Sequence, residues 1–204
     1  ILVNDISRGT SKTGTVNWVT GAVTVKAVFY RSGLFIMLDS GHYAGYNRGY
    51  KGTGYYEGTR MWKLHLYLKD ALEAYPGIVV DTTRTSNITT YSTTIQSYER
   101  GRMAKNHDLL LSLHSNASSS SATDYVISIC STKSSVKTVS QGLGLKLAQA
   151  VRSTMGTNQG AWVYTRKNSK GTDYYGINRG AAEYNVPSVL IEHSFHTNKK
   201  MATW

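Results

Sequence analysis

The chain contains short apolar runs separated by longer stretches in which apolar residues recur every three or four positions. The short runs cover residues 34–39, 78–80, 109–113, 125–130 and 188–191. Runs of this length with few polar residues are typical of strands buried on both faces of a parallel sheet. We therefore expect one strand from each run.

Three of the intervening stretches have helical spacing or composition, over residues 57–75, 93–106 and 136–155. Pro76-Gly77 ends the first of them. The apolar faces predicted for the first and third helices are Met61, Leu64, Leu68 and Leu72, and Val139, Leu143, Leu147 and Val151. Strands alternating with helices predict an α/β fold, a twisted and largely parallel sheet with helices on both faces. The run of elements over residues 34–204 predicts a single domain.

Residues 1–33 have a different pattern. Two β-rich runs, residues 14–19 and 22–25, flank Thr20-Gly21 and predict a hairpin. We interpret this segment as a β-rich N-terminal extension or the remnant of a preceding module.

Composition narrows the class of protein. The net charge of +11 favours polyanionic partners, either nucleic acid or wall polymers that carry phosphate or carboxylate, or else it only aids solubility. No nucleic-acid-binding motif is visible. No apolar run approaches the roughly 20 residues of a membrane span, and no signal peptide is visible at the N-terminus. The single cysteine, Cys130, lies in a predicted strand, and we expect a buried thiol.

Histidines and carboxylates follow the predicted strands. His42 comes three residues after the first strand, His114 directly follows the third, and Glu192 follows the last. Glu57 begins the first predicted helix. In an open α/β sheet, function belongs at the carboxyl ends of the strands, so these side chains are expected to meet there. Two imidazoles and one carboxylate suit zinc and leave a fourth position for water, while the second carboxylate can move protons.

Structural roles compete with this interpretation. A single histidine at a strand end is more often structural than a metal ligand. Glu192 could instead form a buried salt bridge with Arg84 or Arg100. The spacing of the four residues forms no short local motif, so the prediction depends on the strand contexts together.

The same residues resemble a known family, the zinc-dependent N-acetylmuramoyl-L-alanine amidases of autolysins, sporulation enzymes and phage endolysins. The resemblance extends from residue 34 to about residue 198. It is carried by Asp39-Ser40-Gly41-His42, Glu57, Thr83-Arg84, Arg100, the segment Ser112-Leu113-His114-Ser115-Asn116-Ala117, Pro187 to Glu192, Phe195 and Asn198.

The resemblance implies hydrolysis of the amide between the lactyl group of N-acetylmuramic acid and the L-alanine of the stem peptide in bacterial peptidoglycan. It implies a Zn²⁺ held by His42, Glu57 and His114, with Glu192 as the catalytic general base. It further implies that the protein acts at the bacterial cell wall or outside the cell. A zinc peptidase that cleaves within the stem peptide and a catalytically silent wall-binding module remain as alternatives.

Several residues depart from the family pattern. Ser40 replaces a proline, and His193 and His196 replace small or apolar residues, for which we expect surface or supporting roles. Five tyrosines between the first two predicted ligands could line a cleft or simply pack. Residues 117–124 are too short for the helix that plugs the site in some relatives, which predicts an open site. The chain ends six residues after Asn198 (204 − 198 = 6), where the family normally continues into a final helix.

Overall fold

The computed structural model describes residues 33–87 and 96–203, together with three two-residue strands in the first 32 residues. These strands are β1 (Leu2–Val3), β2 (Ile6–Ser7) and β3 (Val25–Lys26), and they form an antiparallel sheet in the order β2-β1-β3. The hairpin predicted over residues 14–25 lies outside the described residues, except for its last residue in β3. The chain divides into two compact units, Ile1–Gly33 and Leu34–Trp204.

The second unit contains six strands and five helices in its described residues. The strands are β4 (Leu34–Ser40), β5 (Ile78–Thr82), β6 (Leu109–Asn116), β7 (Val126–Cys130), β8 (Ala161–Tyr164) and β9 (Ser188–Phe195). The helices are α1 (Glu57–Glu73), α2 (Ser97–Arg102), α3 (Ser134–Met155), α4 (Gly176–Glu183) and α5 (Lys199–Thr203).

The six strands form one sheet in the order β5-β4-β6-β9-β7-β8. Every neighbouring pair is parallel except β7 and β9, which are antiparallel. All five predicted strands are present, and β8 is an additional edge strand. The predicted fold class, a largely parallel sheet with helices on both faces, is confirmed.

Alternate residues of the strands point into two cores on opposite faces of the sheet. One core lies under α1 and α3 and contains Ile36, Leu38, Leu111, Leu113, Val189 and Ile191. The other lies under α4 and contains Met37, Leu110, Ile129 and Leu190. Burial on both faces explains why these strands have apolar runs rather than alternating sequences.

Most of the predicted apolar face of α1 is confirmed, since Met61 is buried and Leu68 and Leu72 pack on the same core. The exception is Leu64, which is exposed, while the neighbouring His65 is buried. The His65 Nδ1 lies 2.5 Å from the carbonyl oxygen of Trp62, and its ring packs on the Trp62 indole at 4.3 Å. Burial lowers the pKa of His65, which favours the neutral imidazole that a core position requires.

In helix α3 the predicted Leu143, Leu147 and Val151 also pack on this core, and one predicted position does not. Val139 is 58% exposed, whereas Ser140 and Gly144 are buried against the sheet. A Cβ at Gly144 would lie 2.6 Å from the Cys130 Sγ, so a small residue is needed at this crossing. The Cys130 thiol is buried as predicted.

Helix α2 is shorter than predicted at its C-terminal end, and residues 93–95 of the predicted helix lie outside the described residues. It crosses α4 closely, since a Cβ at Gly101 or Gly180 would lie 2.2 Å from a carbonyl oxygen of the other helix. This close crossing fixes α2 over the end of the sheet. Helix α4 was not predicted from the sequence.

Candidate active site

The first predicted ligand, His42, lies just beyond the carboxyl end of β4. Its backbone adopts a left-handed conformation with φ of 61°, which is uncommon for a residue with a side chain. The preceding Gly41 allows close approach, because a Cβ there would lie 2.5 Å from a ring atom of His114 and 2.7 Å from the carbonyl oxygen of Leu113. The His42 ring stacks on Tyr46 at 4.4 Å. The turn therefore directs His42 toward the end of β6.

Glu57 is the first residue of α1 and is almost completely buried. Its two carboxylate oxygens accept hydrogen bonds from the side-chain amide of Asn47 at 2.6 Å and from the backbone amide of Ser115 at 2.9 Å. Burial by itself raises the pKa of Glu57, but the contacts with His114 and His42 outweigh it and hold the pKa well below its usual range. Glu57 is therefore an ionised carboxylate with a fixed orientation.

The three predicted ligands come together at the carboxyl edge of the sheet. Ligand atoms of His42, Glu57 and His114 all lie within 4.8 Å of one another. The His42 Nε2 is 3.3 Å from Glu57 Oε2, and the His114 Nδ1 is 3.0 Å from Glu57 Oε1. Two donors about 2.1 Å from a tetrahedral zinc lie about 3.4 Å apart, so this arrangement can hold a metal ion.

Glu192 lies in β9 directly opposite His114 in β6. Its Oε2 atom is buried and has no hydrogen-bond partner among the described residues. Burial raises the pKa of Glu192 to about 7, with a smaller opposing contribution from His114. A carboxyl group with a buried, unpartnered oxygen, beside two histidines at a cleft, is suited to proton transfer rather than to structural support.

The two arginines considered as partners for Glu192 contact other groups. The Arg100 Nε donates to Asp39 at 2.7 Å, and one Arg84 nitrogen donates to the Ser40 hydroxyl at 2.6 Å. Thr83 and Ser112 also donate to Asp39, so this carboxylate joins β4, the residue after β5, β6 and α2 beneath the cleft. Ser40, where the family has proline, thus provides a hydrogen-bond acceptor for a buried guanidinium.

A second group of hydrogen bonds supports Glu57 from behind. The Tyr55 hydroxyl donates to the Ser115 Oγ at 2.9 Å, and His196 Nδ1 lies 3.0 Å from the same oxygen. His193 contacts the carbonyl oxygen of His114 at 2.6 Å through its Nδ1. Both additional histidines therefore pack behind the three clustered side chains.

The cleft above these residues has a volume of about 330 Å³. It is lined by His42, Tyr43, Tyr46, Gln96, Ser97, Arg100, His114, Tyr175, Gly176, Ile177, Leu190 and Glu192. Of the five tyrosines between His42 and Glu57, Tyr43 and Tyr46 line the cleft, while Tyr55 is buried. Residues 117–125 form turns without a helix, as the open-site prediction requires.

Residues 36–204 match the family model for N-acetylmuramoyl-L-alanine amidase. The chain belongs to this family. The match covers most of the chain and confirms both the family and the enzyme class predicted from the sequence. A comparison with curated protein sequences gives no match.

Solved structures share the fold of this amidase. Cwp6 from Clostridium difficile has a TM-score of 0.69 at 23% identity over 83% of this chain, which spans 26% of Cwp6. The catalytic domain of CwlV, an N-acetylmuramoyl-L-alanine amidase from Bacillus (Paenibacillus) polymyxa var. colistinus, has a TM-score of 0.60 at 22% identity, covering 82% of this chain and 83% of CwlV. The catalytic domain of the CD27L endolysin, which targets Clostridia difficile, has a TM-score of 0.51 at 19% identity, covering 82% and 84% of the two chains.

Sequence reasoning missed the wall of the amidase cleft contributed by α4. Tyr175, Gly176 and Ile177 line the cleft. The paired Tyr174-Tyr175 before a glycine was a weak signal that could have indicated an aromatic turn. Among the described residues, none of the helices has the length and apolar character that crossing a membrane demands.

Proposed function

We propose that this chain uses zinc to hydrolyse the amide that joins N-acetylmuramic acid to the L-alanine of the stem peptide in peptidoglycan. His42, Glu57 and His114 would hold the ion, and Glu192 would transfer the proton. The observation that carries this proposal is the buried, unpartnered Oε2 of Glu192 beside a cluster of two histidines and a carboxylate. Membership of the amidase family supports the choice of bond.

Bound zinc supplies an acidified water and a polarised carbonyl group at this position. Ionised Glu192 accepts a proton from the attacking water, whose oxygen forms a bond to the lactyl carbonyl carbon. The same carboxyl group then delivers that proton to the amide nitrogen as the C–N bond breaks. The products are a lactyl carboxylate and a stem peptide with a free L-alanine amine.

The supporting residues fix the orientation of the acidic ligand. Asn47 and the backbone amide of Ser115 each hold one oxygen of Glu57. The His196 imidazole and the Tyr55 hydroxyl hold the Ser115 side chain in turn. Such outer partners typically change metal affinity by about 10- to 100-fold when they are removed.

The proposal extends to location and partners. A peptidoglycan substrate implies action at the bacterial cell wall or outside the cell. The net charge of +11 would add attraction to anionic wall polymers. We also propose that residues 34–204 form the catalytic domain and that residues 1–33 form an extension, in keeping with the two compact units.

Mass spectrometry of digested peptidoglycan tests the function directly. We expect release of intact stem peptides that begin with free L-alanine, and we expect a zinc chelator to abolish the release and added zinc to restore it. Glu192→Gln should retain zinc and lose about 100-fold or more in kcat, because the neutral glutamine amide cannot accept the proton of the attacking water. Glu99→Gln, at an exposed position on α2, is the matched control.

Three outcomes would contradict the proposal. Cleavage within the stem peptide would identify a zinc peptidase. An active Glu192→Gln variant would show that another group transfers the proton. Binding to the wall with no hydrolysis by the zinc-loaded protein would identify a binding module.

A further inference from the structure

Edge strand β8 presents two aromatic side chains on the same face of the sheet as the catalytic residues. Trp162 pairs with Ile127 in β7, Ile127 pairs with Glu192, and Glu192 pairs with His114. Residues opposite one another on adjacent strands project from the same face of a sheet. Because strands are about 4.8 Å apart, Trp162 lies two strands, or about 10 Å, from the backbone of Glu192.

Strand alternation confirms which face these residues occupy. Ala161 and Val163 pack on the core under α3. Trp162 and Tyr164 therefore point to the other face, where they are 47% and 43% exposed. The exposed rings lie beyond the cleft, on its Glu192 side.

The Trp162 ring is held in position. A Cβ at Gly160 would lie 2.6 Å from the indole, so the ring packs directly on the glycine backbone. Tyr125 packs on the indole edge-to-face at 4.8 Å and also contacts Phe195 at 4.5 Å. An exposed indole fixed in this way is ready for contact with a ligand at little entropic cost.

A cation lies at the end of β8 nearest to α4. The exposed Arg166 guanidinium stacks on the Tyr174 ring at 3.8 Å, beside Tyr175, which lines the cleft. We call Trp162, Tyr164 and Arg166, with Ile127 between Trp162 and Glu192, the β8 shelf.

We propose that the β8 shelf binds the stem peptide beyond its first residue, with Arg166 pairing with a peptide carboxylate. This inference rests on the proposed function, in which Glu192 delivers the proton to the leaving nitrogen. The leaving amine must therefore face Glu192, and the peptide attached to it continues on the same side. The shelf begins one strand beyond Glu192, at Ile127.

The chemistry of the shelf favours an acidic peptide over a glycan strand. Aromatic faces accept either ligand. A neutral sugar gives no role to a guanidinium that is oriented by stacking on Tyr174, whereas a carboxylate matches its paired donors. The glycan would then extend from the opposite side of the cleft, near Tyr43 and Tyr46.

Hydrolysis of soluble substrates with stems of different length tests the shelf. The readout is the ratio of kcat/KM for an N-acetylmuramoyl tetrapeptide to that for N-acetylmuramoyl-L-alanine. We expect Trp162→Ala to lower this ratio about 5-fold and Trp162→Phe to restore most of it. Arg166→Gln should lower the ratio about 3-fold, and the effect should vanish when the peptide carboxylates are amidated. Tyr67→Ala removes a 74% exposed aromatic ring from α1, on the other face of the sheet, and should leave the ratio unchanged.

Calorimetric titration with free stem peptide separates this inference from the proposed function. If the wild type hydrolyses no muramoyl amide, the proposed function fails, but weaker peptide binding by Arg166→Gln still supports the shelf. Unchanged ratios and unchanged peptide affinity in both variants would overturn the inference. A loss that follows added sugars rather than added amino acids would also overturn it. If Trp162→Ala fails to fold, the result for Arg166→Gln tests the inference alone, because Arg166 is exposed and its replacement should not disturb folding.

Discussion

Replacement of Asp39 by asparagine tests the hydrogen-bond network beneath the cleft. The Asp39 carboxylate is fully buried and accepts from Arg100 Nε at 2.7 Å, Thr83 Oγ1 at 2.5 Å and Ser112 Oγ at 2.6 Å. Asparagine keeps the shape and one acceptor oxygen, and the two hydroxyl groups can rotate to suit it. What asparagine cannot replace is the charge attraction between Asp39 and Arg100. The variant therefore measures the contribution of this buried ion pair to stability.

Breaking a buried ion pair by removing one partner typically costs about 3–5 kcal/mol. The Arg100 side chain is only 6% exposed, so water offers it little compensation. Because asparagine still accepts hydrogen bonds, we expect the free energy of unfolding to fall by about 3 kcal/mol. The control is Glu99→Gln in the same helix. Glu99 pairs with Arg102, but the two side chains are 51% and 43% exposed, so this variant should change the free energy of unfolding by less than about 0.5 kcal/mol.

Urea unfolding at several pH values measures both effects. Burial raises the pKa of Asp39, but Arg100 and the hydroxyl donors outweigh it and hold the folded pKa well below the unfolded value of about 3.9. The stabilisation is therefore complete above about pH 5 and is lost as the pH falls toward the folded pKa. The gap between wild type and Asp39→Asn should narrow below about pH 4. A loss below 1 kcal/mol at pH 7, or a gap independent of pH, would refute this reasoning.

Three further predictions concern the site. Gly41→Ala should abolish zinc binding in a titration, because the added Cβ would lie 2.5 Å from the ring of His114. Gly142→Ala is the control and should bind zinc normally, because its Cβ meets nothing within 4 Å. His196→Phe should weaken zinc binding about 10-fold, because the imidazole orients Ser115, and His196→Asn should recover part of the affinity. Equal zinc affinities in the wild type and His196→Phe would disprove this role. Activity should rise with pH through an acid limb at or below pH 7, because the raised pKa of Glu192 leaves this carboxyl group protonated at lower pH and unable to act as a base. If the residual activity of Glu192→Gln keeps the same acid limb, another group is responsible for it.

The identity and chain order of the clustered site residues were legible in the sequence. His42, His114 and Glu192 follow short apolar runs that are typical of buried strands, and parallel strands align their carboxyl ends. The strand register then brings His114 and Glu192 opposite each other, as expected. What the apolar runs failed to indicate is that β6 and β9 continue through these residues, because the polar side chains at their ends resemble loop sequence.

Tertiary packing decided individual positions at the edges of the helix faces. Most of the predicted positions pack on the core, but Leu64 and Val139 are exposed, and their neighbours His65 and Ser140 are buried. The sequence pattern does not resolve such positions when small or polar residues can also be buried. At α3 the choice follows from the close approach of Gly144 to Cys130.

The sequence by itself determined the fold class, the family and the set of chemical groups at the site, because these depend on residue type and on alternation along the chain. The tertiary structure decided how those groups are supported and what surrounds them. His196 contacts Ser115, which lies 81 positions earlier in the chain. Trp162 lies on the same face of the sheet as Glu192 because both residues pair with Ile127. Contacts between distant segments leave no period in the sequence, so they become visible only when the strands are placed side by side.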